Sequence, residues 1–194
     1  MAAFSFIDVL FVLGTAATVS AVAVPETLAT IDDSRTAAAA RYVATRLQRT
    51  RMEAVNRNGS AALRFTHMLN QYEFAGYLDG NRNGVLSHDI QSGVDQLFQP
   101  IDRLGDHFSG VDFGAIADLP AVEPASAAPG DDPIRLGSSD MVTFTPTGTS
   151  TTGSLYICGR RGAQYMVRVY GETGKTRVLR FNAGSGQWMP ASDM

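Results

Sequence analysis

The stretch Asp79-Gly80-Asn81-Arg82-Asn83-Gly84-Val85-Leu86-Ser87-His88-Asp89 sets oxygen-bearing side chains at alternate positions around a glycine. Hard oxygens spaced this way on a tight turn suit Ca2+, which takes about six to eight of them. Asp79, Asn81 and Asn83 supply side-chain oxygens in that reading. Val85 supplies a backbone carbonyl, Ser87 a hydroxyl directly or through water, and Asp89 the closing carboxylate, while Gly84 permits the bend. Ile90 stands where such loops have a bidentate Glu, and only two carboxylates belong to the set, so affinity is expected to be low. The competing reading is an Asn/Gly-rich turn that binds nothing.

Other reactive residue types are scattered. His67, His88 and His107 lie far apart, and His88-Asp89 and Asp106-His107 are neighbours in sequence, which does not make them dyads in space. No Gly-x-Ser-x-Gly elbow and no phosphate-binding glycine loop occurs; Gly159-Arg160-Arg161-Gly162 lacks the Lys-Ser/Thr pair. Cys158, the single cysteine, lies in a strand-like run and reads as a small core residue. It forms no intrachain disulfide, so the core must hold the fold. Gly174-Lys175-Thr176-Arg177 reads first as a hairpin with basic exposed positions, which Arg160, Arg161 and Arg180 would enlarge into a patch. The expectation is a protein without catalysis.

Over 194 residues the net charge is −3 and 44% of residues are hydrophobic, which excludes a disordered polyelectrolyte and a globally basic nucleic-acid binder. Lys175 is the sole lysine among 16 basic residues. Phe4 to Val24 is a 21-residue apolar run with a single charge, Asp8. As a helix it reaches roughly 30 Å, one bilayer core. It has no polar face, which excludes a surface helix. A buried core helix and a cleaved secretory signal compete with a membrane span, but Met1-Ala2-Ala3 has no basic residue, and Ala21-Val22-Ala23 is a loose cleavage site. An acid at bilayer depth is costly, which makes Asp8 a functional candidate.

Beyond Pro25 the helical period continues from Thr27 to Asn56, with Asp32, Asp33 and Ser34 placed to cap a restart. Ala40, Val43, Leu47 and Ala54 form an apolar stripe. Arg41, Arg46, Arg49, Arg51 and Arg57 lie mostly off it and read as a solvated basic face, with anionic lipid headgroups or an acidic neighbouring subunit as sharper alternatives. Asn58-Gly59 stops the helix. Strands are expected at Leu63–His67 and Tyr72–Tyr77, then a loop at Asp79–Asp89 and a short helix around Asp89–Phe98. Leu119–Pro133, rich in proline and poor in bulk, reads as a surface loop inserted within one domain. Further strands are expected at Met141–Thr145, Leu155–Cys158, Gln164–Tyr170 and Thr176–Phe181, with Gly171–Gly174 as a hairpin loop.

Phe4-Ser5-Phe6-Ile7-Asp8-Val9-Leu10, the apolar run and Pro25-Glu26 resemble the leader and N-terminal helix of type IV pilins and type II secretion pseudopilins. Phe144-Thr-Pro-Thr-Gly148, Gly153-Ser-Leu-Tyr-Ile157 and Val167–Val178 are similar to the β-domain of the GspH/FimT branch, the minor pseudopilins and pilins. The resemblance implies an α+β fold, pilin-like: a long N-terminal transmembrane helix packed on a C-terminal antiparallel β-rich domain. It divides the chain into a leader at 1–3, a membrane and filament-core half at 4–25, an amphipathic half at 26–58 and a periplasmic domain at 61–194, with the loop at 119–133. A prepilin peptidase would cut between Ala3 and Phe4 and methylate Phe4. Asp8 would pair with a neighbouring subunit's terminal amine, with Pro25 at the family's helix proline. Ala3 stands where the family has Gly, and Asp8 where it has Glu. The implied partners are other pilin or pseudopilin subunits, the peptidase, the inner membrane and secreted cargo. Some FimT-like minor pilins bind DNA through a Gly-Arg-x-Arg motif that Gly174–Arg177 resembles, so Lys175 and Arg177 are the candidate DNA contacts. A membrane-anchored calcium module outside any filament is the remaining alternative.

Overall fold

The computed structural model describes residues 5–69, 71–122 and 128–191. Helix α1 runs unbroken over Phe6–Arg57, roughly 78 Å at 1.5 Å per residue. Ser5 caps it: the Ser5 hydroxyl accepts from Ile7 N, and the Asp8 carboxylate accepts from Ser5 N at 3.1 Å. Asn58, with φ 48°, rather than Gly59, takes the left-handed position that ends it.

The expected restart after Pro25 does not occur. Pro25 lies inside the helix, and the three polar residues cap nothing. Asp32 and Asp33 instead reach across to the β-domain. Asp32 Oδ2 accepts from Arg161 N at 2.9 Å, and Asp33 Oδ1 accepts from Tyr165 Oη at 3.1 Å and pairs with Arg180 at 3.2 Å. Proline removes one helical hydrogen bond, and the helix nevertheless continues through it.

Two antiparallel sheets pack against the second half of α1. In chain order the elements are β1 (Ala61–Met68), β2 (Gln71–Leu78), α2 (Ser87–Ser92), β3 (Gln96–Arg103), α3 (Leu104–His107), β4 (Val111–Phe113), β5 (Ile134–Arg135), β6 (Met141–Phe144), β7 (Gly153–Gly159), β8 (Gln164–Tyr170), β9 (Lys175–Asn182) and β10 (Gln187–Pro190). The first sheet has the order β3-β2-β1-β6; the second is β10-β9-β8-β7-β4, with β5 also on β7. Ala39, Ala40, Val43, Leu47 and Ala54 of α1 are fully buried against Leu63, Phe65, Phe74, Phe144, Leu155, Ile157 and Val167. Small residues on the helix let the sheets approach its backbone, and branched and aromatic strand residues fill the space between.

One expectation fails here and one needs an addition. The helix near 89–98 is confined to Ser87–Ser92, because Gly93 (φ 76°) ends it and the chain then extends as β3. Pro100 is tolerated because β3 is an edge strand. The stretch from Leu119 is also more than a surface loop. Leu119 is buried with Tyr156, Met166 and Leu179, and Trp188 Nε1 donates to Pro120 O at 3.0 Å. The described parts of this segment therefore cover the outer face of the second sheet.

Gly159 is a point where the second sheet comes close to α1. A Cβ there would sit 2.4 Å from Thr36 Oγ1 and 2.5 Å from Asp32 Oδ2, both on buried residues. Gly159→Ala is expected to cost about 2 kcal/mol through forced displacement, read as a lower denaturation midpoint.

Candidate functional site

The most unusual surface is the first half of α1. An 18-residue window has mean hydropathy 2.1, and none of it is buried by the rest of the chain. Phe6 and Phe11 are 76% and 72% exposed, and Val9, Leu10, Val12, Leu13 and Val19 are exposed beside them. This excludes the buried core helix, because the domain covers only the far half. Among the described residues one helix is long and apolar enough to cross a membrane. So much contiguous apolar area is costly in water, and the helix fits membrane anchoring. Asp8 sits in its first turn, exposed, and its carboxylate accepts from Ser5 N. Ala3 and Phe4 lie outside the described residues.

The second half of α1 is fixed to the β-domain by polar contacts that local sequence gives no sign of. The Asp102 carboxylate accepts from Tyr42 Oη and, at 2.8 Å, from His107 Nε2, and it pairs with Arg46 Nη2 at 3.2 Å. Arg46 therefore does not belong to the solvated basic face. Its guanidinium lies 5.7 Å from the Tyr42 ring centre and 5.8 Å from that of Phe74. Arg51 likewise turns inward, its Nε donating to Gly148 O at 3.1 Å. Buried Thr50 accepts from Gln99 Nε2 at 2.9 Å. Burial works against the Asp102 carboxylate, but donors from Tyr42, His107 and Arg103 N outweigh it and hold its pKa below the ordinary value. Tyr165 is pushed up to about 12 by burial and by the Asp33 charge. These contacts fix the direction in which the apolar half leaves the domain.

The loop after β2 brings Asp79, Asn81, Asn83 and Asp89 together, as their spacing predicts. It is closed by its own hydrogen bonds. Asp79 Oδ1 accepts from Asn81 N and Arg82 N, and Asp79 Oδ2 from Gly84 N. Asp89 Oδ2 accepts from Asn81 Nδ2 at 3.2 Å and Asn83 Nδ2 at 2.9 Å. Those amides, with His88, hold the Asp89 pKa low. Val85 buries its side chain with Ala62 and Met141, and Ser87 opens α2. Asp95, which the spacing does not single out, is buried and receives Gly80 N and Leu86 N. Among the described residues no three His, Cys, Asp or Glu side chains gather as metal ligands.

The remaining candidates separate. His88 does touch Asp89, at 3.1 Å, while His107 meets Asp102 and not its neighbour Asp106. His67 packs on Tyr72 with ring centres 4.7 Å apart. Burial, then the charges of Asp112 and Asp32, raises the Cys158 thiol above its ordinary pKa, which keeps it protonated at neutral pH. Arg160 and Arg161 lie at the β7–β8 turn, the opposite end of β8 from Lys175, and Arg180 pairs with Asp33. They do not enlarge a patch around Lys175 and Arg177. Arg51 and Arg168 do.

The family model of type II transport protein GspH matches residues 39–174. Those residues hold the buried half of α1 and most of both sheets. Among solved structures the chain is similar to the minor pseudopilin EPSH from the type II secretion system of Vibrio cholerae, at 11% identity over 84% of this chain and 99% of that one, with a TM-score of 0.38. No curated protein matches the chain.

Proposed function

We propose that this chain, which belongs to the family of type II transport protein GspH, works as a minor pseudopilin that enters a membrane-anchored filament at or near its tip. The apolar half of α1 that its own domain leaves uncovered carries this reading. Lipid covers it before assembly and sister helices cover it afterwards. The β-domain stands in the periplasm, held in one orientation by the Asp32, Asp33 and Asp102 contacts. Nothing in such a role needs bond chemistry: burial of apolar area drives association, and Asp8 neutralises a neighbouring subunit's terminal amine.

Co-expression of the full chain with a prepilin peptidase, followed by the intact mass of the N-terminal peptide, tests the class. The expected product lacks Met1–Ala3 and is methylated on Phe4. An unprocessed terminus under conditions that process a control pseudopilin would overturn the reading.

The loop 79–89 supports a second, smaller proposal, a weak Ca2+ site. Asn81 and Asn83 both reach Asp89 Oδ2, so rotating the two amides turns their oxygens inward beside the Asp89 carboxylate. The full chain in detergent is expected to melt a few degrees higher in about 10 mM CaCl2 than in MgCl2, and Asp89→Ala to abolish the difference. Equal melting in both salts removes the proposal.

A further inference from the structure

The second half of α1 turns Ala39, Ala40, Val43 and Leu47 to the sheets and leaves its outward side uncovered. On that side, steps of four and three residues from Ile31 pass through Arg35, Ala38, Tyr42, Thr45 and Arg49. This is the spacing at which helices lying side by side meet. Ile31, Arg35, Thr45 and Arg49 are exposed, and Ala38 and Tyr42 are half-buried. Because α1 is unbroken through Pro25, the seam continues directly from the apolar half.

Arg35 and Arg49 stand two heptads apart, roughly 21 Å along the axis and about 40° around it. Among the described residues neither has an ion-pair partner. The helix itself offers no free anion. Its acids between Thr27 and Arg57 are Asp32, Asp33 and Glu53. Asp32 and Asp33 are bonded to the β-domain, and Glu53 is held by Arg57 at 2.9 Å. A charged side chain at a seam position costs stability and chooses the partner.

The two arginines discriminate between neighbours. A second copy lying parallel sets Arg35 against Arg35 and Arg49 against Arg49. Slid along the axis, each guanidinium is buried against Ala38, Thr45 or Met52 with no anion beside it. Like charges across an interface oppose association, and a buried unpaired charge opposes it more. A helix with carboxylates at matching depths removes both penalties, and the small side chains of Ala38 and Thr45 let it approach closely. Lipid is a poor match. With the apolar run to Val24 in the bilayer, Arg35 and Arg49 stand roughly 16 and 37 Å beyond it, past a headgroup layer of roughly 5–8 Å.

We infer that Arg35 and Arg49 select this chain's neighbour: the outward seam of α1 rejects a second copy and accepts the N-terminal helix of a different subunit that carries carboxylates opposite them. The inference deepens the assembly reading and rests on it for the presence of a neighbouring helix.

The test has two arms. In the first, the full chain and its R35E/R49E variant carry donor or acceptor fluorophores at their C-termini and are reconstituted in phosphatidylcholine vesicles. The variant serves as the acidic partner. Energy transfer is expected to be at least about fivefold higher for the mixed pair than for either chain with itself at ~50 mM salt, and to lose most of that excess at ~300 mM. The single reversals R35E and R49E repeat the comparison should the double variant fail to fold. Equal transfer in all three combinations overturns the proposal. So does transfer between unaltered chains that appears on adding phosphatidylglycerol, which would assign the arginines to headgroups. In the second arm, sheared filaments are assayed for the chain, and R35E/R49E is expected to be depleted at least about fivefold at equal membrane level. Normal incorporation of a variant that pairs with the unaltered chain in vesicles overturns the selection of a neighbour. Failure of the unaltered chain to enter filaments counts against the assembly reading alone, because the vesicle arm needs no filament.

Discussion

Asp102→Ala is expected to lower the unfolding free energy of the β-domain by about 3 kcal/mol, read from denaturant midpoints at constant slope. One carboxylate serves three side chains, the Tyr42 hydroxyl, His107 Nε2 and the Arg46 guanidinium, besides Arg103 N. The Arg46 and Asp102 side chains are only 13% and 14% exposed. Removing one partner of a largely buried pair costs about 3–5 kcal/mol, because the other charge stays behind unpaired. The residual exposure argues for the lower end. Asp102→Asn keeps an acceptor for Tyr42 but not the charge, and should cost about half as much. Glu73→Ala, which breaks a pair with half-exposed Arg103, should cost less than about 1 kcal/mol. The acid limb follows in sign. The folded-state pKa of Asp102 is depressed, so its contribution is complete above the unfolded value near 3.9 and is lost as pH falls through the lower folded value. Stability should fall less steeply below about pH 4 in Asp102→Ala than in the unaltered chain.

Much of the fold can be read from residue order where the pattern is local. Ala40, Val43, Leu47 and Ala54 recur at helical spacing, and all four are fully buried. The β8–β9 hairpin is equally plain, since Gly171 and Gly174 bracket a turn between runs of alternating residues. β3 defeats the same reasoning. Gln96, Gln99, Pro100 and Asp102 interrupt any apolar alternation, and buried Gln99 finds acceptors for its amide on another element, at Thr50 Oγ1 and Arg46 O. Pro25 fails in the opposite direction: a residue that argues for a break lies inside an unbroken helix.

Functional positions divide along the same line. The 79–89 loop assembles as spacing suggests, because a turn places its own side chains. Asp95 joins it only through the return of the chain after α2. Lys175 and Arg177 stand out as the basic tail of a hairpin. Their companions do not, because Arg51 reaches them through the packing of α1 and Arg168 through the β8–β9 register. Arg46 and Arg51 look interchangeable with Arg41 and Arg49 in sequence. Three residues along the helix, about 60° around it, separate Arg46, held over aromatic rings, from Arg49 in water.

Asp8→Ala is expected to leave membrane insertion intact and to remove the chain from filaments. In the proposed assembly the apolar half of α1 moves from lipid to sister helices, an exchange between two apolar surroundings that supplies little net hydrophobic drive. A carboxylate at that depth is costly alone and favourable opposite a cation, so Asp8 gives the bundle a specific reason to form. In the free chain it is satisfied locally by Ser5 N, a contact it can exchange for an amine. Truncating it strands the neighbouring subunit's amine at a cost of about 3 kcal/mol, roughly a hundredfold in association. Asp8→Asn retains the acceptor without the charge and should fail nearly as badly, whereas Asp8→Glu should assemble. The checks are carbonate-resistant membrane fractionation, expected to be equal for all variants, and recovery in sheared filaments, expected to fall at least about tenfold for Asp8→Ala and Asp8→Asn. Normal recovery of Asp8→Ala would show that burial of the apolar helix suffices and that Asp8 serves only as the cap of its own first turn.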